Sequence, residues 1–258
     1  MMDASRALVA RELVRFTRQP SRIVATVGTP ALVWLFLASG FADSFASPAD
    51  SGRADSYAAF AIPGIATMVV LFSTIFASIS LIQDRQEGLL QSVLVSPASS
   101  LAVASSKVLA GSIIATAQAA LVLASMFVFG VATGPLGFAL SLLACFATSV
   151  ALISLGLALA WRIDSTAGFH GVMNLVLVPM WLVSGAIFPV EGAAGWLRAL
   201  VLINPLHHAN ETIAEPMDAG ALHWSVALAF ALLSFLGAIR TIRTRPPNTH
   251  DSHDDSAR

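Results

Sequence analysis

Residues 108–161 form a stretch of fifty-four residues without one Asp, Glu, Lys or Arg. A helix of a soluble protein does not stay uncharged over such a length, because one of its faces must meet water. One membrane crossing needs only about 20 apolar residues, at a rise of about 1.5 Å per residue. The stretch therefore predicts two membrane-spanning helices joined by a turn at Thr133, Gly134, Pro135 and Gly137.

The composition of the whole chain also indicates a membrane protein. Hydrophobic residues make up 56% of the 258 residues and charged residues 11%, whereas about 25% of residues are charged in an average soluble protein. The hydropathy pattern predicts an all-α membrane protein with six transmembrane helices. The predicted spans cover approximately residues 23–42, 60–82, 103–130, 136–161, 169–190 and 222–239.

The basic residues predict the orientation of these six helices. With six crossings both termini lie on one side, and that side receives twelve of the fourteen Lys and Arg residues. Only Arg53 and Arg198 fall on the other side, where the connecting segments are net acidic. Because basic residues concentrate on the cytoplasmic side of membrane proteins, we expect a multi-pass protein of the cell inner (plasma) membrane with both termini in the cytoplasm.

A cleaved signal peptide is the alternative interpretation of the first span. Residues 38–40 form a small-residue cleavage site, and arginines precede the apolar segment. The segment before the apolar region would be over twenty residues long, however, and Pro30 lies inside that region. A mature chain that starts near Phe41 would have five crossings.

The N-terminal twenty residues predict an amphipathic helix on the membrane surface. At about 100° per residue, basic side chains fall on one face and apolar side chains on the opposite face. The arginines of such a helix can contact anionic lipid or an acidic partner, and a solvated helix that only flanks the first span is the alternative. The basic face comprises Arg11, Arg15, Arg18 and Arg22.

A second short helix is predicted at residues 84–96, in the cytoplasmic loop after span two. Its acidic start suits the positive end of the helix dipole, and Pro97 ends it. Polar residues occupy one face, and the other face is formed by Leu89, Leu90, Val93 and Leu94. This amphipathic helix fits a groove of a cytoplasmic partner, whereas a surface helix without a partner is the alternative.

Four motifs in this chain resemble the type-2 ABC exporter permease family. F-A-I-P-G at residues 60–64 is similar to the F-x-x-P-G start of its second span. D-R-Q-E-G-L-L-Q-S-V-L-V-S-P at residues 84–97 resembles its R-E-x-G-T-L-E-x-L-L-V-S-P loop. S-G-A-I-F-P at residues 184–189 resembles its S-G-x-x-F-P motif, and W-L-R at 196–198 with N-P-L at 204–206 resembles its W-L-x-x-x-x-x-x-N-P-L segment.

The resemblance, which runs from about residue 5 to 240, implies a permease subunit of an ATP-driven exporter. In that family the loop helix after span two is a coupling helix that docks on a separate ATPase subunit. The residues that would carry this role here are Asp84, Arg85, Glu87, Gly88, Leu89 and Leu90. This chain departs from the family at Leu89, where Thr is frequent, and at His207 and His208, which replace Thr or Ser and Tyr.

The resemblance also implies a second permease subunit, in a homodimer or paired with a sister chain, with the pathway between the two. It further implies a re-entrant external element between spans five and six, at residues 191–220. Residues 195–203 are apolar enough to enter the outer leaflet, since re-entrant backbone is tolerated where protein buries it. A helix on the outer surface is the alternative. The polar residues 241–258 predict a disordered cytoplasmic tail.

The chain lacks the sequence features of an ATPase or another enzyme. A P-loop needs a lysine in Gly-Lys-Ser/Thr, and the only lysine, Lys107, lies in S-S-K-V. ATP and Mg²⁺ are therefore expected on the partner subunit, and no cofactor on this chain. His207 and Glu211 are one helical turn apart, but their pattern predicts interfacial polarity rather than a metal site. The net charge of -1 indicates no nucleic-acid partner.

Few polar residues occur inside the predicted spans, and the candidates for lining a pathway are Gln118, His170 and Asn174. Polar groups at membrane depth often mark pathways, whereas an interhelical hydrogen bond is the alternative role. The spans contain no acidic or basic relay residue, which favours a pathway driven from outside the chain. The resemblance implies a drug, a lipid or a glycan carrier as substrate, and the apolar spans best fit an amphiphile. A stand-alone secondary carrier and a non-transporting intramembrane enzyme or assembly factor are the competing functions.

Overall fold

The computed structural model describes residues 2–41, 57–87, 100–131 and 134–244, and no β-strand occurs in these ranges. A 3₁₀ turn at Val190–Gly192 lies between the helices α7 and α8. In chain order, the α-helices of this part of the chain are α1 (Met2–Thr17), α2 (Pro20–Gly40), α3 (Tyr57–Gln86), α4 (Ser100–Leu123), α5 (Ser125–Val128), α6 (Gly134–Ala160), α7 (Thr166–Leu182), α8 (Gly195–Ile203), α9 (Pro205–Ala214) and α10 (Gly220–Thr244).

Five helical segments of the described residues are long and apolar enough to cross a membrane. They are α2, α3, the segment Ala104–Val128 that contains most of α4 and all of α5, then α6 and α10. The fifth predicted span falls on α7, which has 17 residues and ends at Leu182 rather than at Val190. The helix ends there because Gly185 just beyond it has a φ of 79°, outside the right-handed helical region, and because Asn204 Nδ2 donates to the terminal carbonyl oxygens of Met180 and Val183.

Helix α3 forms the centre of the bundle and packs against α2, α4, α6, α7 and α9. Within its most apolar stretch 78% of the residues are buried, compared with 11% for α2 and 17% for α10. Lipid is as apolar as leucine, so helices associate in membranes through close packing, which small residues permit. Ala61, Ala66, Ala115 and Ala119, on α3 and α4, are all fully buried at such contacts.

Gly64 marks the closest approach between α3 and the chain that follows α7. A Cβ atom at this position would lie 2.7 Å from the Cβ and 2.8 Å from the Cα of Ala186. On the same side, the Trp181 indole Nε1 donates to the Gly64 carbonyl oxygen at 2.8 Å, and the Tyr57 hydroxyl donates to the Ile187 carbonyl oxygen at 2.9 Å. The motifs at residues 60–64 and 184–189 therefore pack directly against each other.

Replacing Gly64 by alanine is expected to destabilise this contact, because the added methyl group would overlap backbone atoms that cannot rotate away. Overpacking of this kind costs about 1–3 kcal/mol or more, and the expected result is a lower thermal unfolding midpoint of the detergent-solubilised protein. Gly237→Ala is the matched control, since that position on α10 has no atom within 4 Å of an added Cβ. Equal midpoints for the two variants would contradict the close approach.

Three sequence-predicted boundaries differ in the structure. Pro20 begins α2, as a proline in the first helical turn often does, so Arg22 does not lie on α1. Asp84 belongs to the last turn of α3 rather than to the start of a separate loop helix, and residues 88–99 lie outside the described ranges. Helix α10 continues through Thr244 because Ile242 is still packed, at 6% exposure; the remainder of the predicted tail lies outside the described residues.

Candidate functional site

An ionic cluster lies where α3 ends, and we call this side of the bundle the Asp84 end. The Asp84 carboxylate accepts a hydrogen bond from Arg15 Nη1 at 2.6 Å and lies 2.6 Å from Lys107 Nζ. Lys107 Nζ also lies 3.2 Å from Glu12 Oε1. Arg11 completes the cluster, with Nη2 at 3.0 Å from Glu12 and 3.9 Å from Asp84. The cluster thus connects α1, α3 and α4 through charged side chains.

The centre of this cluster is shielded from solvent. The side chains of Asp84 and Lys107 are 3% and 5% exposed, respectively. Burial lowers the pKa of the Arg15 guanidinium, but its hydrogen bond to Asp84 and the charges of Asp84 and Glu12 outweigh this effect, so the pKa is raised. A buried charge is tolerated only when a partner compensates its lost hydration, and the cluster therefore fixes the three helices relative to one another.

The opposite side of the last turn of α3 is attached to the connection between α6 and α7. Arg85 Nη1 donates to the Trp161 carbonyl oxygen at 3.1 Å, and Nη2 donates to the Ile163 carbonyl oxygen. The same guanidinium lies 3.1 Å from the Asp164 carboxylate, and Gln86 Nε2 donates to the Asp164 carbonyl oxygen at 2.8 Å. The segment leading into the α3–α4 loop is therefore held on two sides, by the buried ion pairs of Asp84 and by the partly buried hydrogen bonds of Arg85.

The six residues predicted to dock on an ATPase do not share one environment. Asp84 and Arg85 are occupied by the contacts within the chain described above, and the side chain of Glu87 is exposed just beyond the end of α3. Gly88, Leu89 and Leu90 lie outside the described residues. The docking role of the six residues stays a prediction.

The four arginines predicted to form one surface face are divided between two helices. Arg11 and Arg15 of α1 point toward Asp84, so the acidic partner of these two lies within the chain. Arg18 is exposed. On α2, the Arg22 guanidinium lies between two aromatic rings, 5.9 Å from the centroid of Phe16 and 5.3 Å from that of another phenylalanine, Phe76.

Gln118 lies inside the bundle and links three helices. Its Oε1 accepts a hydrogen bond from the Ser73 hydroxyl of α3 at 2.7 Å, and its Nε2 donates to the Thr26 hydroxyl of α2 at 2.5 Å. Its exposure is only 5%. These contacts give Gln118 the geometry of an interhelical hydrogen-bond link, a role that is favourable where the alternative is an unpaired polar group.

The other two candidates for lining a pathway, His170 and Asn174, lie on an exposed face of α7. The opposite face packs into the bundle through residues spaced at every fourth position: Phe169, Met173, Leu177 and Trp181. On the exposed face Leu175 reaches 77% exposure. His170 and Asn174 therefore lie beside exposed apolar side chains of α7, on a surface that the described part of the chain does not cover.

A cavity of about 660 Å³ lies at the opposite end of the bundle, which we call the His207 end. It is bounded by the start of α3, the end of α5, and the segment from the 3₁₀ turn to the start of α10. Asn204 anchors this segment, because its Nδ2 donates to the carbonyl oxygens of Met180 at 2.6 Å and Val183 at 2.9 Å. Its Oδ1 accepts from the Leu206 backbone N–H at 3.0 Å and caps α9.

Three histidines meet beside this cavity. His207 Nδ1 lies 3.0 Å from the Ser184 carbonyl oxygen, and His208 Nδ1 lies 3.2 Å from His223 Nδ1. His208 Nε2 lies 3.0 Å from the Leu202 carbonyl oxygen. Within the described ranges, no group of three or more His, Cys, Asp or Glu side chains has the geometry of a metal site. The histidines instead connect α9 to the end of α7 and to α10.

Comparisons with known proteins identify the family. The sequence model of the ABC-2 type transporter family matches residues 4–217. The daunorubicin resistance ABC transporter permease protein DrrB1 of Streptomyces coeruleorubidus is 24% identical over 231 residues, which cover 89% of this chain and 80% of that protein. The probable multidrug ABC transporter permease YbhR of Escherichia coli (strain K12) is 32% identical over 158 residues, or 60% of this chain and 42% of YbhR.

The family match extends from α1 to beyond α9 and includes both ends of the bundle. It confirms the family that the four sequence motifs indicated. Members of this family are transporters rather than enzymes, and the family implies an ABC ATPase as partner. The chain therefore belongs to the ABC-2 type transporter family, and it is a multi-pass transmembrane permease.

Proposed function

We propose that this permease exports an amphiphilic substrate and is driven by an ABC ATPase that docks on the α3–α4 loop. The observation that carries the proposal is the double attachment of the last turn of α3. Asp84 binds α1 and α4 on one side, and Arg85 binds the α6–α7 connection on the other. Because these contacts are short and partly buried, a displacement of the loop would be passed to three further parts of the bundle.

The proposed docking surface is the segment that follows α3. Glu87 is exposed at its start, and Gly88, Leu89 and Leu90 continue it in sequence. Asp84 and Arg85 would position this segment rather than contact the partner, because their side chains have partners within the chain. ATP and Mg²⁺ would bind to the ATPase, and this chain would carry no cofactor.

The proposed topology has six spans, with the short helix α7 as the fifth. A helix of 17 residues rises about 25 Å, somewhat less than the ~30 Å hydrocarbon thickness, which flanking polar residues and local thinning can accommodate. Both termini would then lie in the cytoplasm together with the Asp84 end, and the His207 end would face the exterior of the inner (plasma) membrane. The distribution of basic residues, twelve against two, supports this orientation.

A second permease subunit, identical or a sister chain, would complete the pathway. The exposed apolar face of α7 and the largely uncovered helix α2 provide surfaces for it, and His170 and Asn174 would then line the pathway. The names of DrrB1 and YbhR refer to daunorubicin resistance and to multidrug transport. We extend to this chain only the class of substrate: an amphiphile such as a drug, a lipid or a glycan carrier.

Reconstitution tests the proposed function. The permease, co-purified with its ABC ATPase, is placed in proteoliposomes, and the movement of a fluorescent amphiphile is followed after addition of ATP and Mg²⁺. We expect transport that requires both subunits and stops with a non-hydrolysable ATP analogue. Transport by the permease alone, driven by an ion gradient, would instead establish the stand-alone carrier and overturn the proposal.

A further inference from the structure

The three histidines at the His207 end form one packed group at the junction of α9 and α10. The ring centroids of His208 and His223 are 4.9 Å apart, and the His207 ring lies 5.2 Å from the first and 5.7 Å from the second. His207 and His208 are only 4% and 8% exposed. Because little water separates the rings, a charge on one of them acts directly on the other two.

The neighbouring carbonyl groups determine which nitrogen of each ring carries a proton. A carbonyl oxygen only accepts, so His208 Nε2, which lies 3.0 Å from the Leu202 carbonyl oxygen, is a donor. A neutral His208 then has no proton on Nδ1, and this atom accepts from His223 Nδ1 at 3.2 Å. By the same reasoning His207 donates through Nδ1 to the Ser184 carbonyl oxygen. In the neutral state each of these three contacts therefore joins one donor to one acceptor.

The contact between His208 and His223 tolerates one added proton but not two. With one proton added, the cationic ring still donates to the neutral ring, so the hydrogen bond is kept. With both rings cationic, all four nitrogens carry protons and two Nδ1–H groups face each other across 3.2 Å. Like charges at such a distance repel more strongly inside a protein than in water. The rings must then separate, and α9 loses this contact with α10.

The charged groups around the histidines do not remove the cost of protonation. Burial lowers the pKa of His207, and the charges of His208 and His223 act in the same direction, whereas the Ser184 carbonyl oxygen and the charge of Glu211 raise it; the net result is a lowered pKa. Of the described helices at this end, α3, α5 and α6 contribute no charged group to the cavity lining. The other charged groups of the lining come from α8, α9, the 3₁₀ turn and the segment before α10: Arg198, Glu211, Glu215, Glu191 and Asp218.

The sign of the pH effect follows from the lowered pKa of His207. In the folded protein this ring binds a proton less readily than in the unfolded chain, where its pKa has the ordinary value. The stability that its burial provides is therefore fully present above the ordinary imidazole pKa and is lost as the pH falls below it. The repulsion within the His208–His223 pair acts in the same direction.

We propose that His208 and His223 form an acid-sensitive contact, which holds α9 against α10 while at most one of the two rings is protonated and releases it when both are. Imidazole takes up protons between about pH 8 and pH 5, so the contact opens toward the acidic end of this range. In the proposed topology it faces the exterior and would respond to external pH. The contact itself does not depend on the proposed export function.

Hydrogen–deuterium exchange of the full-length permease in nanodiscs tests this proposal. Exchange is compared at about pH 7.5 and about pH 5 after correction for the intrinsic effect of pH on amide exchange. We expect amides of α9 (Pro205–Ala214) and of the first turns of α10 to exchange about tenfold faster at the lower pH, as the loss of a hydrogen bond implies. Amides in the centre of α3 should exchange equally at both.

Three variants identify the titrating groups. His223→Gln should abolish the acid-induced increase, because a side-chain amide can present either an N–H group or an oxygen to His208 and carries no charge. His208→Gln also removes the second cation and should abolish the increase as well. His170→Gln is the matched control, since this ring is exposed on α7, and it should keep the wild-type response.

Each remaining outcome counts against the proposal. Equal exchange of α9 and α10 at the two pH values in the wild type overturns it. An acid-induced increase that persists in both His223→Gln and His208→Gln also overturns it, because other groups would then be responsible. If one of these variants does not fold, the other variant and the wild-type profile decide. The experiment contains neither ATPase nor substrate, so its result is separate from that of the transport test.

Discussion

Replacing Asp84 by asparagine is expected to destabilise the permease by about 3–5 kcal/mol, because Arg15 and Lys107 lose the carboxylate that they share and Glu12 alone is left to compensate the positive charge of the cluster. Arg15 Nη1 and Lys107 Nζ both lie 2.6 Å from the Asp84 carboxylate. Asparagine keeps the size of the side chain but not its charge, so the effect reports electrostatics rather than packing. The measurement is the thermal unfolding midpoint of the purified protein in detergent, followed by tryptophan fluorescence.

Two further variants identify the origin of this effect. Asp164→Asn removes a carboxylate that is 70% exposed, and pairs of that kind contribute about 0–1 kcal/mol, so its midpoint should stay near that of the wild type. Adding Lys107→Met to Asp84→Asn should recover part of the loss, because Glu12 then has one buried cation fewer to compensate. An Asp84→Asn protein that unfolds at the wild-type temperature would show that the cluster does not hold these helices together.

The apolar helices of this permease could be predicted from local sequence, but the length of α7 could not. The uncharged stretch 108–161 contains α6 and most of the α4–α5 segment, because in lipid an apolar run of sufficient length has few alternatives to a helix. The hydropathy pattern predicted that the fifth span ends at Val190, because residues 183–190 are also largely apolar. The backbone conformation of Gly185 and the hydrogen bonds from Asn204 end the helix earlier, and hydropathy does not register either signal.

The ionic cluster shows why long-range contacts escape sequence analysis. Helical periodicity identified Arg11 and Arg15 as one face and Asp84 as a polar position, but Arg15 and Asp84 are 69 positions apart in sequence. Periodicity describes which residues share a face and does not specify what that face meets. The partners of Gln118 were missed for a related reason, because Thr26 and Ser73 are small hydroxyl residues that barely lower the hydropathy of a span.

The cavity at the His207 end was also beyond sequence analysis, since its lining comes from six separate segments of the described chain. The sequence did provide one signal, which is the net acidic character of the segments predicted to lie outside the membrane. The motif departures at His207 and His208 were visible as well. Their contacts with Ser184, Leu202 and His223 depend on the turn at Asn204, which fixes the direction of α9.

Replacing Glu87 and Leu90 together by alanine is expected to abolish ATP-driven transport while membrane insertion and stability stay intact. Glu87 is exposed at the end of α3, and exposed positions away from packing contacts usually change stability by less than about 0.5 kcal/mol. A hydrophobic and an acidic contact to the ATPase would both be lost, so transport in proteoliposomes should fall to background. The ATPase should also no longer co-elute with the permease in size-exclusion chromatography.

Gln83→Ala is the matched control for this double variant, because Gln83 is exposed one helical turn before Glu87 and lies on α3 itself. It should retain transport and co-elution. Asp84→Asn should lower the unfolding midpoint, whereas the double variant Glu87→Ala with Leu90→Ala should not. Asp84→Asn also leaves the proposed contact side chains of Glu87 and Leu90 in place. The two sets of residues therefore separate a positioning role from a contact role. Full transport by the double variant would contradict the docking role of Glu87 and Leu90, the two side chains that the variant removes.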